Sequence, residues 1–203
     1  PIIDNELAFR LSIDRQTRES FVDMPSYDPV GDPREIETIT ARGKLLYEPS
    51  AIPGLSTKLT LNHFDSKAPQ NEALIPSAEH QSARYDERRP VFETKNTSGI
   101  WDFEYQTAGN LRFENQIAYT DFTINRRTAT TLPYANIDGA EFHVEPVVHF
   151  ATNDEQWRGL AGLRYYHSSQ DEYVYLFGGS TFDDKTETGS AFAEVTYAVL
   201  PAV

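Results

Sequence analysis

The chain has 203 residues, roughly one to one and a half typical domains, which leaves the fold class open. Its 31 acidic residues outnumber its 18 basic ones, and the formal net charge of -13 opposes binding to nucleic acid or to anionic lipid headgroups. The chain has no Cys, which excludes disulfides and thiolate metal sites, and no apolar run reaches the roughly 18 residues of a membrane helix.

Apolar and polar residues alternate along the whole chain in segments of about ten residues, a pattern typical of strands whose two faces meet different surroundings. In the first segment, for example, Phe9 and Leu11 flank Arg10. We predict eight strands, at residues 6–15, 37–47, 55–64, 95–106, 111–121, 139–150, 157–167 and 188–199. Because the connections are local, these strands are expected to pair in sequential antiparallel order.

The predicted connections alternate between two lengths. Short ones cover residues 48–54, 107–110 and 151–156, and long polar ones cover about 16–37, 64–95, 121–138 and 167–188. Outer-membrane barrels have short turns on one side of the membrane and long loops on the other, joined by strands that are apolar outside and polar inside. The pattern therefore predicts an all-β fold of antiparallel up-and-down strands that form part of a transmembrane β-barrel.

Aromatic residues lie near the ends of the predicted strands, as in the girdles at the two membrane interfaces. One group flanks the short turns: Tyr47, Tyr105, Phe150, Trp157 and Tyr197. A second group lies near the long loops: Phe64, Phe122, Phe142 and Tyr165. The alternative is that these rings cap the core of an ordinary sandwich.

Strand parity predicts which side chains share a face, since alternate residues of a strand point in opposite directions. The set predicted to face lipid is Leu59, Phe103, Phe113, Val144, Leu163 and Val195. The set predicted to face the barrel lumen is Lys44, Lys58, Glu104, Arg112, Glu145 and Arg164.

Several of these segments resemble one protein family. Arg42-Gly43-Lys44-Leu45-Leu46-Tyr47-Glu48-Pro49 resembles a descending strand and turn in the barrels of TonB-dependent receptors of Gram-negative outer membranes. Leu7–Ser12, Trp101–Tyr105 and Ala191–Tyr197 are similar to other strands of that family. The family barrel has 22 strands around a plug. The resemblance implies that residues 1–203 are one barrel segment, without the plug domain or the C-terminal strands.

The resemblance also implies a function. Receptors of this family import scarce ligands such as ferric siderophores across the outer membrane, with energy relayed by TonB through the plug. The expected partners are TonB, outer-membrane lipid and a small-molecule or metal-chelate ligand, with no nucleic acid and no cofactor. Two alternatives stay open, a passive small outer-membrane barrel or porin and a soluble β-rich binding protein.

Catalysis is not expected, because the sequence has no G-x-S-x-G motif and no phosphate-loop context. Glu141, His143, Glu145 and His149 share one face of the sixth strand, but same-face neighbours lie about 6 to 7 Å apart along a strand, too far to hold one metal ion together. We expect salt bridges along the wall instead. Arg158 and Arg164 are predicted to reach these acids, and Arg112 is predicted to face Glu104.

The second long connection contains the only dense basic cluster of the chain, Arg84-Tyr85-Asp86-Glu87-Arg88-Arg89. Arg84, Tyr85, Arg88 and Arg89 are candidate ligand-binding residues, because guanidinium groups and a phenol at a barrel mouth suit an anionic chelate. The alternative is a solvated helix at residues 77–88, with its charges neutralised locally. Acidic pairs at Asp171-Glu172 and Asp183-Asp184 suit calcium less well than they suit solvent.

Overall fold

The computed structural model of the chain describes residues 2–20, 25–70, 88–153, 156–176 and 178–199. Eight strands form one sheet in the order β1 to β8, and each strand is antiparallel to the next. Their bounds are β1 Leu7–Glu19, β2 Glu35–Tyr47, β3 Leu55–Pro69, β4 Val91–Gln106, β5 Leu111–Arg127, β6 Tyr134–Ala151, β7 Trp157–Tyr175 and β8 Ser180–Tyr197. The predicted all-β class and sequential pairing are confirmed.

The strands match the prediction at the short-turn edge of the sheet and extend beyond it at the opposite edge. The predicted long connections at 121–138 and 167–188 are wrong in extent, because the structure leaves only 128–133 between β5 and β6 and 176–179 between β7 and β8. In the added segments of β5 and β6 the alternation is reversed, with Phe122, Ile124 and Ile137 on one side and polar residues on the side that is apolar elsewhere. The added segments of β7 and β8 are mostly polar on both sides. Neither pair continues the alternation of the predicted strands. Backbone hydrogen bonds do not depend on that alternation, and the ladders continue through them.

The register divides the side chains between two faces, since directly opposite residues of an antiparallel pair point the same way. Leu59 pairs with both Leu45 and Trp101, and the same row continues through Ile117 to Val144. We call this side the Leu face. All six residues predicted to face lipid lie on it, and all six predicted to face the lumen lie on the opposite side, which we call the Arg face.

The Leu face changes character partway along each strand. Its apolar band, next to the short turns, covers the Leu-face residues within 7–13, 39–47, 55–61, 99–105, 111–119, 142–150, 157–165 and 189–197. The band contains no Asp, Glu, Lys, Arg or His, and its nine-residue stretches in β5 to β8 measure about 26 Å along the strand. Beyond it lies the charged collar, the Leu-face residues of the remaining strand lengths.

Side chains of the collar form ion pairs and hydrogen bonds between neighbouring strands. Nitrogen–oxygen distances are 2.8 Å for Arg15 and Glu37, 3.5 Å for Lys95 and Asp65, and 3.3 Å for Arg127 and Glu93. The hydroxyl of Thr123 donates to Asp138 at 2.8 Å. The two regions of the Leu face therefore differ sharply in polarity, although they belong to the same strands.

Almost nothing in the described part of the chain is packed into an interior. Among the described residues, the buried hydrophobic ones are Val91 and Ala129, at 0% and 4% exposure. Large apolar side chains of the band stand in the open, including Phe9, Trp101 and Leu163. Within the same residues, no helix is long and apolar enough to cross a membrane. The sheet therefore has no dry core of its own.

The aromatic rows follow the band edges only in part. Tyr47, Tyr105, Phe150, Trp157 and Tyr197 lie on the Leu face at the short-turn edge, where the rings of Trp157 and Tyr197 are 4.6 Å apart.

At the other edge of the band, Phe142 and Tyr165 also lie on the Leu face, with ring centroids 6.3 Å apart. The prediction was wrong for Phe64 and Phe122, which lie on the Arg face. The ring of Phe122 occupies the space above Gly139, where an added Cβ would lie 2.4 Å from it.

Pro146 interrupts the ladder in the middle of β6. Pairing between β6 and β7 runs from Tyr134 to Val144 and resumes at Val147, because proline has no N–H to donate. At the interrupted row, Glu145 and Arg164 face each other on the Arg face and form an ion pair. A side-chain contact thus joins the two strands where the backbone bond is missing.

Candidate functional site

The candidate site is the Arg face beside the apolar band, where charged residues of β3 to β7 form a cross-strand ladder. Lys58 of β3 contacts Asp102 of β4, with 3.0 Å between Nζ and Oδ2. Gln116 of β5 donates to the same carboxylate at 2.8 Å. Asp102 is therefore held from both neighbouring strands.

Arg112 lies between two acids that would otherwise repel each other. Glu104 and Glu114 are directly opposite across β4 and β5, an arrangement that is unfavourable for like charges. Arg112 lies 3.8 Å from Glu104 and 2.8 Å from Glu114, and Nε2 of His149 lies 3.0 Å from Glu114. The predicted contact between Arg112 and Glu104 is confirmed, and Glu114 is the stronger partner.

The acids and histidines of β6 each contact at least one polar side chain, and Glu145 is shared by two of them. Arg164 pairs with Glu145, Nε2 of His143 lies 3.5 Å from Glu145, and the hydroxyl of Tyr166 donates to Glu141 at 3.2 Å. The predicted salt bridge of Arg164 is confirmed, whereas Arg158 lies opposite Ala151 at the short-turn edge. No group of three metal-ligating side chains occurs in the described ranges.

These side chains line a cavity of 420 Å³ on the Arg face, with Lys58, Asp102, Glu104, Glu114 and Glu145 in its wall. Each charge there is balanced by a neighbour, and the groups present offer hydrogen bonds and charge. Such a surface suits contact with water, polar solutes or a polar protein surface.

The basic cluster predicted to bind ligand is described in part. Arg84 and Tyr85 lie outside the described residues. Arg88 is exposed, and Arg89 is buried, with 6% of its surface accessible. The hydroxyl of Tyr27 donates to the backbone carbonyl of Arg89. The connection between β1 and β2 is thus tied to the connection between β3 and β4, and Arg89 lies at the junction.

A second contact that orders the connection between β1 and β2, between Asp32 and Arg34, was not predicted from the sequence. The guanidinium of Arg34 lies 2.8 Å from Asp32, and the backbone N–H of Arg34 donates to the same carboxylate at 2.9 Å. These hydrogen bonds, from the side chain and then the backbone of Arg34, lower the pKa of Asp32 to about 2. Nζ of Lys67 donates to the carbonyl of Val30 at 3.4 Å.

Together these features define the class of structure. A single antiparallel up-and-down sheet, apolar over one band of one face and charged on the other, is a section of the wall of a β-barrel. No family model matches the chain.

Among solved structures, the chain is similar to the crystal structure of the ferric yersiniabactin uptake receptor FyuA from Yersinia pestis. The TM-score is 0.71 at 16% sequence identity, and the match covers 98% of this chain and 33% of that one. The chain therefore spans a third of the length of the receptor it matches. The resemblance to a barrel segment of a TonB-dependent receptor is confirmed at the level of the fold.

Proposed function

We propose that the chain is a wall segment of an outer-membrane receptor that imports a scarce ligand with energy from TonB. The observation that carries the proposal is the change along the Leu face from apolar band to charged collar. A tilted transmembrane strand crosses the lipid with about 9 to 11 residues, and the nine-residue band segments of β5 to β8 match that length. The collar then extends from the membrane into water, which explains why the same face becomes charged.

Two alternatives account for less. A soluble β-rich protein would need a second layer to cover the band, and the described strands all belong to one sheet. A passive eight-stranded barrel would need β1 to pair with β8, and no such pairing occurs in the described ranges. A segment of a larger barrel requires neither.

We also propose that the complete protein has a plug domain, interacts with TonB and binds a ligand. The family resemblance and the matching fold support an energised receptor, in which other parts of the protein supply the plug and the remaining strands. An anionic metal chelate, such as a ferric siderophore, is the proposed ligand class, because the connection between β3 and β4 holds the densest group of arginines in an acidic chain.

The proposed capture surface comprises Arg84, Tyr85, Arg88 and Arg89. Arg88, the first described residue on the β4 side of the connection between β3 and β4, is exposed. Arg89 is buried where this connection meets the one between β1 and β2. We assign ligand contact to Arg84, Tyr85 and Arg88, and we assign to Arg89 the role of positioning the connection against Tyr27. In this assignment Arg88 contacts the ligand, and the adjacent Arg89 holds the connection between β3 and β4 in position.

Single cysteines on one strand test the membrane assignment. Val195 and Thr196 are neighbours on β8 with opposite faces, and neither belongs to an ion pair. In the complete protein in its native membrane, Val195→Cys should react with a maleimide confined to lipid. Thr196→Cys should react with a water-soluble one. Equal labelling of the two positions by the lipid-confined reagent would refute the membrane assignment.

Ligand capture is tested by removing charge from the connection. Arg84→Gln combined with Arg88→Gln should weaken binding of negatively charged ferric siderophores by about 1 to 3 kcal/mol, with a larger loss at low salt. The control removes the same charge from collar ion pairs, through Arg15→Gln and Lys95→Gln. Titration calorimetry on the complete protein measures both. Equal affinities of the two double variants for the siderophore would show that Arg84 and Arg88 do not contact the ligand.

A further inference from the structure

Three cations on the Arg face of β1 and β2 differ from those of the ladder. Arg10 lies directly opposite Lys44, and one row further from the short turns Ser12 lies directly opposite Arg42. Arg10, Arg42 and Lys44 therefore share one patch, with neighbouring rows about 7 Å apart along the strands and about 5 Å across them. We call it the cation patch.

No acid forms an ion pair with the patch within the part of the chain that the structure describes, and Asp14, one row from Arg42 on the same face, accepts a hydrogen bond from Gln16. Lys58, Arg112 and Arg164 each contact a carboxylate, whereas Arg10, Arg42 and Lys44 form no ion pair or side-chain hydrogen bond among the described residues. Like charges directly opposite each other destabilise a strand pair. Three such charges together, none of them in an ion pair, favour the binding of an anion from outside these strands.

The patch encloses a space that limits what this anion can be. Arg10, Ser12, Arg42 and Lys44 line a cavity of 160 Å³, smaller than the roughly 300 to 1,000 Å³ of drug-sized ligand pockets. It suits one compact anionic group. Two guanidinium forks, an ammonium and a hydroxyl supply directed donors of the kind that bind phosphate and carboxylate.

From this geometry we infer that the cation patch binds a phosphate or carboxylate group of a dissolved solute. A lipid headgroup is the wrong source, because the patch lies on the face opposite the apolar band. Arg10 is three residues from the end of β1 and Arg42 five from the end of β2, which places the patch about 10 to 17 Å from the short-turn edge. The solute site is thus well inside the wall and far from the capture surface. Only its place in a barrel lumen rests on the proposed function.

Inorganic phosphate is the probe for this site. The complete protein in detergent should bind phosphate, and the triple variant Arg10→Gln, Arg42→Gln, Lys44→Gln should bind it at least about tenfold more weakly, because each lost charged hydrogen bond is worth about that factor. The matched control, Arg15→Gln, Lys95→Gln, Arg127→Gln, removes the same charge from collar ion pairs and should bind like the unmodified protein. Calorimetry in low-salt buffer measures all three.

A single charge reversal separates binding from folding. Lys44→Glu places a carboxylate opposite Arg10, so it should raise the melting temperature while abolishing phosphate binding. Failure of the unmodified protein to bind phosphate, or equal affinity in the patch and control variants, would overturn the inference. A melting temperature lowered by Lys44→Glu would also overturn it, since it would show that a protein carboxylate already occupies the patch. The measurements use no membrane or transport step, so their failure leaves the cysteine-labelling test of function intact.

Discussion

The apolar band and the charged collar belong to the same face of the same strands, yet they differ in almost every side chain. The hydrogen-bond ladder of β5 and β6 passes from one region to the other without a break. The band holds no charged residue, whereas the collar holds ion pairs such as Arg127 with Glu93. Backbone pairing therefore does not determine the boundary. In the proposed membrane setting the surrounding medium determines it, because a charge is costly only where water is absent.

The Arg face provides the internal reference for this comparison. It carries charged residues beside the band, including Lys58, Arg112 and Arg164, at the heights where the Leu face carries none. A sheet that was apolar for reasons of strand propensity would show the same trend on both faces. The difference between faces is the one that the proposed position in a membrane requires, with lipid on one side and water on the other.

The largest effect is expected from a charge placed in the band. Ala161 and Ser169 are small residues on the Leu face of β7, the first at the centre of its band segment and the second in the collar. Ala161→Arg should lower the free energy of unfolding in lipid vesicles by about 2 to 4 kcal/mol, the cost of a midplane arginine. Ser169→Arg should have almost no effect. Similar losses at both positions, measured by urea titration, would show that the boundary is not a membrane interface.

A smaller effect, an increase in the free energy of unfolding, is expected when a polar residue of the band is replaced by an apolar one. Asn115 lies at the centre of the β5 segment, opposite Pro146, and its Oδ1 atom is shielded from solvent without a hydrogen-bond partner. Asn115→Leu should raise the free energy of unfolding by about 1 to 3 kcal/mol, the cost of an unpaired amide in apolar surroundings. Asn125→Leu, on the same face in the collar, is the control and should change it little. A loss of stability in Asn115→Leu would contradict an apolar medium at that point.

The smallest effect is a pH dependence in the connection between β1 and β2. The Leu face of the band has no ionisable Asp, Glu, Lys, Arg or His, so a comparable effect is not expected there. Because Arg34 lowers the pKa of Asp32 from 3.8 to about 2, the contact stabilises the connection above pH 3.8 and is lost as the pH falls through about 2. Asp32→Asn should increase hydrogen exchange at the backbone amide of Arg34 at neutral pH. That difference should vanish near pH 2. Exchange that is equal at neutral pH would show that the contact does not order the connection.

Most of the fold was accessible from the sequence because one dry face imposes a period of two on every strand. The pairing of Arg164 with Glu145 and of Arg112 with Glu104 also followed, since hairpin register places the first pair in one row and the second in neighbouring rows. The strand lengths did not follow. Asp121 and Asp138 lie on the Leu face of the collar, where most residues are polar, whereas Phe122, Ile124 and Ile137 lie on the Arg face. The parity of the alternation is reversed there, so the pattern that marks the band did not extend to these segments.

The remaining errors have different causes. Phe64 lies three residues from Leu61, and Phe122 lies three from Tyr119, so counting parity alone would have placed both rings on the Arg face. The contact between Tyr27 and Arg89 joins residues 62 apart, and no local pattern predicts it. Long-range contacts between connections depend on how the sheet brings its ends together, which the sequence of either connection does not specify.

Pro146 has a mechanical consequence for the wall. At its row the strands β6 and β7 lack a backbone bond, and the ion pair of Glu145 and Arg164 acts as the clasp. Backbone bonds in the apolar band are sheltered from solvent, whereas this clasp faces the side where ions can screen it. Under a pulling force the row of Pro146 is therefore the weakest row of this seam, and its resistance falls as the concentration of electrolyte rises.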